Sequence, residues 1–200
     1  MDGLATSIIP ARSDQGALLA DILADSFRHD PVMNWVIPNT NLYPNFFREL
    51  VEKLFLPNQH TYIEKNGDGA ALWLPPGAHF DMPVTTAQVF MILQLILTRG
   101  PKVVPRLVSI QKTMEKYHPR EPHYYLQSLG ARQSRQGRGI GSALLKQVTP
   151  LCDRDQMPAY LESSSARNVP LYERHGFEVF HQENIGGDGP PMWFMLRPPR

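Results

Sequence analysis

The chain has 200 residues, of which 42% are apolar and 20% charged, and these ordinary values exclude a disordered or fibrous protein. Its 20 basic and 19 acidic side chains leave a net charge of +1, so no global field attracts nucleic acid or an anionic membrane. The length suits one domain, predicted to span residues 1–200.

The sequence also shows no sign of export or membrane insertion. The first 30 residues lack a basic segment followed by a long apolar run, and the only cysteine, Cys152, cannot form an intramolecular disulfide. The most apolar stretch, 89–97, has about half the length that spans a bilayer. We therefore expect a cytoplasmic protein with no membrane or nucleic-acid partner, and the sequence leaves open whether it forms a homodimer.

The first half of the chain is rich in helices and contains one hairpin. Apolar residues repeat at helical spacing after Ser13 or Asp14, either of which can cap a helix. Turn residues fill 66–69, between two β-like runs. In chain order we predict a strand (6–9), the capped helix, a second helix (about 44–56), a hairpin (61–65 and 70–74) and two helices (about 85–98 and 102–116).

The second half alternates strands with helices. We predict a strand (124–129), a glycine-rich turn, a helix (140 to about 153), a strand (159–162), a short helix (169–175) and two strands (177–180 and 192–196). The economical architecture for the whole order is α/β, a mixed sheet with helices on both faces.

The glycine-rich turn between strand and helix is the strongest motif. Its residues 136–142 present several backbone amides at a helix N-terminus, and Arg132, Arg135 and Arg138 add positive charge. This pattern indicates a phosphate-rich ligand, and the alternative is a tight turn with solvated arginines. A Walker P-loop needs a lysine before Ser142, and a doubly wound dinucleotide fold needs more than the roughly 60 residues that follow, so both fit less well.

The run Gln136-x-x-Gly139-x-Gly141 resembles the acetyl-CoA motif of the GNAT superfamily of N-acetyltransferases. Further residues typical of that family follow at Glu162, Asn168 and Tyr172 and in the run to Phe177. Together they cover about residues 118–198 and look most similar to puromycin N-acetyltransferase-like proteins. The first 117 residues match only loosely.

The resemblance implies a GNAT fold, a mixed and mostly antiparallel twisted sheet of about six or seven strands with a splayed central pair. It implies that residues 118–200 bind acetyl-CoA and that residues 1–117 form the acceptor side. The backbone of Leu129 and Ala131 would bond the pantetheine and the acetyl carbonyl, and Asn168 and Tyr172 would contact the cofactor. The pyrophosphate would lie against Gln136, Gly137, Arg138, Gly139, Ile140, Gly141 and Ser142.

Acetyl transfer to an amine needs a base, and the leaving thiolate benefits from an acid. Glu162, an acidic residue in an otherwise apolar strand, is the expected base, with a structural carboxylate as the alternative. Tyr172 is the expected acid, with core packing as the alternative. His123 and His175 are secondary candidates for a base or a proton relay, and no metal is expected because the histidines lack ligand spacing.

Phe27, Asp30 and Trp35 are the predicted acceptor-binding residues, although core packing is the favoured alternative for Phe27 and Trp35, and Asp30 could equally be a turn residue before Pro31. The predicted function is transfer of the acetyl group from acetyl-CoA to a primary amine of a small molecule, by direct attack in a ternary complex. The alternatives are an acyl-CoA-sensing module without turnover, acetylation of a protein amine, and a nicotinamide-dependent dehydrogenase that uses the same glycines.

Overall fold

The structure is a computed structural model that describes residues 6–78 and 85–200. In these residues seven strands form, namely β1 (Ile8–Pro10), β2 (Thr61–Glu64), β3 (Gly69–Leu74), β4 (Tyr124–Ala131), β5 (Ala159–Ser163), β6 (Glu178–Asn184) and β7 (Pro191–Arg197). The same residues contain the helices α1 (Gly16–Ser26), α2 (Pro31–Val36), α3 (Tyr43–Leu50), α4 (Thr86–Arg99), α5 (Val103–Tyr117), α6 (Ile140–Leu145), α7 (Thr149–Arg154) and α8 (Val169–Glu173).

All seven strands join one sheet in the order β1-β2-β3-β4-β5-β7-β6. Only β4 and β5 run parallel, and they pair from Tyr124 with Ala159 to Leu126 with Leu161. Beyond that pair, residues 127–131 of β4 continue along β3 alone, so the sheet opens between β4 and β5. The predicted mixed, mostly antiparallel sheet with a splayed central pair is confirmed.

Helices cover both faces of the sheet, as predicted. Side chains alternate between the faces of a strand, and on β5 Tyr160 enters the core beneath α1 to α5, whereas Leu161 enters the core beneath α6 to α8. The first core contains the fully buried Leu19, Ile22 and Leu23 of α1, which the sequence predicted from helical spacing. Each face of the sheet thus has its own set of helices.

Local chemistry explains why the chain turns sharply between α1 and α2. The Asp30 carboxylate accepts the Met33 N–H at 2.8 Å, and Pro31 occupies the first helical turn, where its missing N–H costs nothing. Segment 32–37, which the sequence marked only as apolar and aromatic, therefore folds as the short helix α2 and ends before Pro38.

The predicted long helix over 140–153 is wrong in one respect, because it is two helices. Pro150 has no N–H to donate to the carbonyl of residue 146, and its ring would clash with that carbonyl. The chain turns at 146–148, and Pro150 then lies in the first turn of α7. The predicted strand 177–180 is also shifted, because pairing with β7 extends β6 to Asn184.

The remaining boundaries agree with the sequence to within one or two residues, including the hairpin and helices α4 and α5. Helix α3 runs on as a π-helical segment, Val51–Phe55, which together with α3 covers the predicted second helix. In the described part of the chain, no helix combines the length and apolar character needed to cross a membrane.

Candidate functional site

The gap between β4 and β5 is lined by backbone groups of β4. The Arg132 N–H donates to the Asp68 carbonyl at 2.9 Å, which continues the register in which Gly69 faces Ala131. In an antiparallel pair, consecutive residues alternate between pointing their N–H and C=O at the partner and pointing them away. The backbone groups of Leu129 and Ala131 therefore point away from β3 and into the gap.

The glycine turn lies where β4 ends and α6 begins. Gly137 and Gly139 have φ values of 76° and 81°, a left-handed conformation that favours glycine. A Cβ at either residue would meet nothing within 4 Å, so open space lies in front of both. Ile140 is buried and anchors the turn. The first N–H groups of α6, like those of any α-helix, have no intrahelical partners. This arrangement fits a pyrophosphate.

The three arginines of this loop differ in their roles. Arg132 donates to Asp21 at 2.7 Å and to the Gly67 carbonyl at 2.9 Å, and Arg135 lies 3.3 Å from Asp68. Both therefore brace the loop against α1 and the hairpin. Arg138 is exposed beside the two open glycines, which makes it the arginine best placed to meet an anion.

Glu162 lies on β5 just beyond the last pair with β4, on the same face as Tyr160. Its side chain is only 4% exposed, and its Oε1 lies 3.8 Å from His118 Nδ1. Neither Oε1 nor the buried Tyr160 hydroxyl has a well-aligned hydrogen-bond partner among the described residues. Burial first, and then the charge of Glu162, raise the pKa of Tyr125 and Tyr160. The carboxylate thus lies among two tyrosines, Tyr125 and Tyr160, and beside His118.

Two histidines lie next to this carboxylate. The rings of His118 and His123 have centroids 4.8 Å apart, and both stack edge-on against Tyr160. His123 Nδ1 lies 2.8 Å from the Glu121 carbonyl. Burial lowers the pKa of His123, so its ring is mostly neutral near pH 7 and can accept a proton.

Tyr172 lies on the other face of the sheet, in the core beneath α6 to α8, and is 7% exposed. Burial and then the charge of Asp30 raise its pKa above the ordinary value. The Asp30 carboxylate also accepts the Ser164 hydroxyl. Asp30 and Ser164 therefore tie the α1–α2 connection to the end of β5, close to Tyr172. Asn168 is exposed one turn before it.

Two other candidates lie away from this centre. The Ser142 hydroxyl and His175 Nε2 are 2.6 Å apart, and the His175 carbonyl accepts from Arg197 at 2.9 Å, so His175 joins α6 to the end of α8. Cys152 is fully buried, and burial raises the pKa of its thiol to about 12, which leaves it protonated. Within 6–78 and 85–200, no group of three or more potential metal ligands occurs.

A large cavity of about 1300 Å³ opens on the face that carries Glu162. Helices α2 to α5 form most of its walls, and His118, His123 and Tyr125 line one end. Sequence reasoning missed His118, Tyr125 and Tyr160 as neighbours of Glu162. Only Tyr160 was within reach of a local argument, because it lies two positions before Glu162 on the same strand and therefore on the same face.

The predicted acceptor residues have structural partners. Phe27 packs on Phe47 with ring centroids 5.3 Å apart, and the Arg106 guanidinium lies 5.1 Å above the Trp35 ring. Asp30 caps α2 and holds Ser164. Among the described residues that line the cavity, none is Phe27, Asp30 or Trp35.

Comparison with known proteins assigns this chain to a family. The model of the acetyltransferase (GNAT) family matches residues 107–177. The S-alkylcysteine N-acetyltransferase of Bacillus subtilis is 30% identical over 134 residues, which are 60% of this chain and 75% of that protein. The chain belongs to the GNAT family. It is therefore an acetyl-CoA-dependent N-acetyltransferase.

The other similarities of this GNAT protein extend over nearly the whole chain. An uncharacterised N-acetyltransferase of Schizosaccharomyces pombe is 28% identical over 197 residues, 90% of this chain and 78% of that protein. A crystal structure from Corynebacterium glutamicum, described as histone acetyltransferase HPA2 and related acetyltransferase, has a TM-score of 0.73 at 25% identity and covers 98% of both chains. The GNAT fold thus includes residues 1–117, whose sequence resemblance is weak.

Proposed function

We propose that this GNAT enzyme acetylates a primary amine of a small molecule by direct attack in a ternary complex. The observation that supports this most is the placement of Glu162 and the glycine turn on opposite faces of the same gap. Donor and acceptor can then approach the gap from two sides at once. The Bacillus subtilis relative is named for a small molecule, S-alkylcysteine. The likeness to puromycin N-acetyltransferase-like proteins rests on the cofactor half, so it carries no argument about the acceptor.

The acetyl-CoA site in this proposal follows the backbone of β4 and the turn. Leu129 and Ala131 offer N–H and C=O groups to the pantetheine arm and the acetyl carbonyl. The amides of the turn, Gln136 to Ser142, hold the pyrophosphate, and Arg138 adds a charge-assisted contact. Asn168 and Tyr172 border the arm from α8. An amide aimed at the carbonyl oxygen also stabilises the charge that develops there during attack, by about 3 kcal/mol.

Glu162 acts as the base in this scheme. An alkylammonium with a pKa near 10.4 must first lose a proton, which costs about 4 to 5 kcal/mol at neutral pH. The orphaned Oε1 of Glu162 can accept that proton, directly or through one water. The neutral nitrogen then attacks the acetyl carbon and the C–N bond forms. As the C–S bond breaks, the nitrogen loses a second proton to solvent, and solvent returns to Tyr172 the proton that it gives to the sulfur.

Tyr172 acts as the acid and donates its hydroxyl proton to the leaving sulfur. Its raised pKa keeps it protonated at neutral pH, which this role requires. None of these steps uses a metal ion, so a chelator should leave turnover unchanged. We further propose that residues 1–200 work as one domain, with the acceptor side contributed mainly by residues 1–117 and the cofactor side by 118–200.

A thiol-release assay with acetyl-CoA and a panel of amines tests the proposal, with Glu162→Gln as the variant. Wild type should turn over at least one small primary amine, and the variant should lose most of kcat while binding CoA normally. CoA binding without turnover of any small amine would overturn the proposal and favour the sensing module. Acetylation of proteins or peptides alone would favour a protein acceptor.

A further inference from the structure

The cavity beside Glu162 is larger and more apolar than a small polar amine needs. Its volume of about 1300 Å³ exceeds the roughly 300 to 1,000 Å³ that is usual for small-molecule sites. Its walls include Met33 and Val36 of α2, Phe46 of α3, and Ile110 and Met114 of α5. These side chains are apolar, namely two flexible thioethers, two branched aliphatic groups and one aromatic ring, and can cover an apolar body of considerable size.

The end of the cavity that His118 and Tyr125 line has a different character. Behind these two side chains, and not in the cavity lining itself, the Glu162 Oε1 and the Tyr160 hydroxyl are buried without a well-aligned partner in the described chain, although buried polar groups are almost always paired. A carboxylate oxygen accepts hydrogen bonds, and an ammonium group has three to donate. This end therefore suits the amine head of a ligand.

The charges around the cavity favour a cation. Glu49, Glu115 and Glu121 line it, together with Arg48 and Arg120. Arg48 donates to the carboxylate of Glu52, which does not line the cavity, at 2.9 Å, and this carboxylate neutralises the charge of Arg48. The remaining charges leave an excess of acid, which complements an ammonium and disfavours a carboxylate.

We propose that the acceptor is a primary amine with a large apolar body. The body lies between α2, α3 and α5, and the amine head lies at the end lined by His118 and Tyr125. This inference rests on the proposed function, because it names the substrate class of that same site. It predicts that chain length, and not only the presence of an amine, determines the rate.

A series of unbranched alkylamines tests this inference on the wild-type enzyme, since all carry the same head. From n-propylamine to n-octylamine, kcat/KM should rise by about fourfold for each methylene that is buried. Spermidine, which carries further charges along its chain, should be a poor acceptor. A flat series, or spermidine acetylated as fast as n-octylamine, would overturn the inference while leaving the proposed function intact. No turnover with any amine would overturn the proposed function itself.

Two tryptophan variants on α5 locate the apolar body. Ile110 lines the cavity, whereas Val108 is 44% exposed on the same helix and does not line it. Ile110→Trp should lower kcat/KM for n-octylamine at least tenfold and change that for n-propylamine much less, and Val108→Trp should change neither. Equal losses for both amines in a variant that still binds CoA and unfolds cooperatively would contradict the placement. If Ile110→Trp does not fold, the wild-type series decides alone.

Discussion

The Nδ1 atom of His118 lies 3.8 Å from Oε1 of Glu162, and the two side chains differ sharply in exposure, 34% against 4%. The proposed base is buried to this degree and cannot return its proton to solvent directly. His118 lies beside the carboxylate and also lines the cavity. We therefore expect its ring to carry the proton from Glu162 to water.

Replacing His118 by Ala should therefore slow turnover without weakening acetyl-CoA binding. We expect kcat to fall at least about tenfold, a modest share of what positioned proton-transfer groups contribute. Added imidazole should restore part of the loss, because it can occupy the vacated space and carry the proton. Steady-state kinetics with and without imidazole measure this, and a lower kcat that imidazole does not raise would indicate that the ring only packs against Tyr160.

Tyr172 should affect the size of kcat at every pH but should not cause kcat to decline at alkaline pH. A general acid must be protonated, and burial with the charge of Asp30 raises the pKa of Tyr172 above its ordinary value of about 10. The wild-type kcat should therefore not decline between pH 8 and pH 10 through ionisation of this residue. Tyr172→Phe should lower kcat about 100-fold across that range.

The measurement is kcat against pH for both proteins at saturating substrates. An alkaline decline in wild type that disappears in Tyr172→Phe would show that the tyrosine ionises within the range. That result would contradict the raised pKa.

The glycine turn predicts a specific effect of one added methyl group. Gly139→Ala places an alanine at φ 81°, which costs about 1 to 2 kcal/mol, and the turn can relax only by moving the amides that face the ligand. The Kd for CoA should therefore rise at least about tenfold. Gly187→Ala is the matched control, because Gly187 has φ 87° in the β6–β7 turn and is just as open. Calorimetry should show weakened CoA binding only in Gly139→Ala, and equal effects would disprove a local role.

An ion pair between the buried Arg197 and the partly exposed Asp153 joins α7 to β7 and should set part of the stability. Arg197 is 4% exposed and donates to both oxygens of Asp153 at 2.7 and 2.8 Å. Asp153→Asn should lower the free energy of unfolding at pH 7 by about 1.5 to 3 kcal/mol, because it leaves the guanidinium buried without its carboxylate. The exposed Arg12–Asp14 pair provides the control, and Asp14→Asn should leave the denaturation midpoint nearly unchanged.

The same pair predicts a pH dependence. The bonds from Arg197 lower the pKa of Asp153 in the folded state. The stability that the carboxylate contributes is therefore complete above its unfolded-state pKa of about 3.9 and is lost as the pH falls through the lower folded-state value. Urea titrations at pH 7 and near pH 3 should show that the difference in unfolding free energy between wild type and Asp153→Asn is smaller at the lower pH. A larger difference near pH 3 would refute the coupling between stability and the ionisation of Asp153.

Local chemistry accounts for what the sequence predicted well. The hairpin turn at 66–69 and the glycine turn each depend on a few neighbouring residues, and both lie where short-range rules place them. The cap at Asp30 is just as local, yet the sequence predicted no helix after it. The proline at position 150 is also a local signal for a helix break, but the apolar run from Ile140 onward favoured the prediction of one continuous helix.

The acceptor side could not be predicted in the same way. Asp30 was expected to bind substrate, but the structure pairs it with Ser164, 134 positions along the chain. The neighbours of Glu162 come from a loop and a strand that only the sheet order brings together. The cavity is a product of how helices α2 to α5 pack, and no single stretch of sequence encodes its shape.

The gap between β4 and β5 leaves backbone groups of β4 unpaired in the middle of the sheet, whereas sheets usually have unpaired backbone groups only at their two outer strands. Whatever binds these groups adds to the stability of the native chain by mass action, in proportion to the logarithm of its concentration relative to Kd. Resistance to heat and to proteolysis should then follow the supply of acetyl-CoA. A cell that runs short of acetyl groups would lose not only this reaction but, with time, the enzyme that performs it.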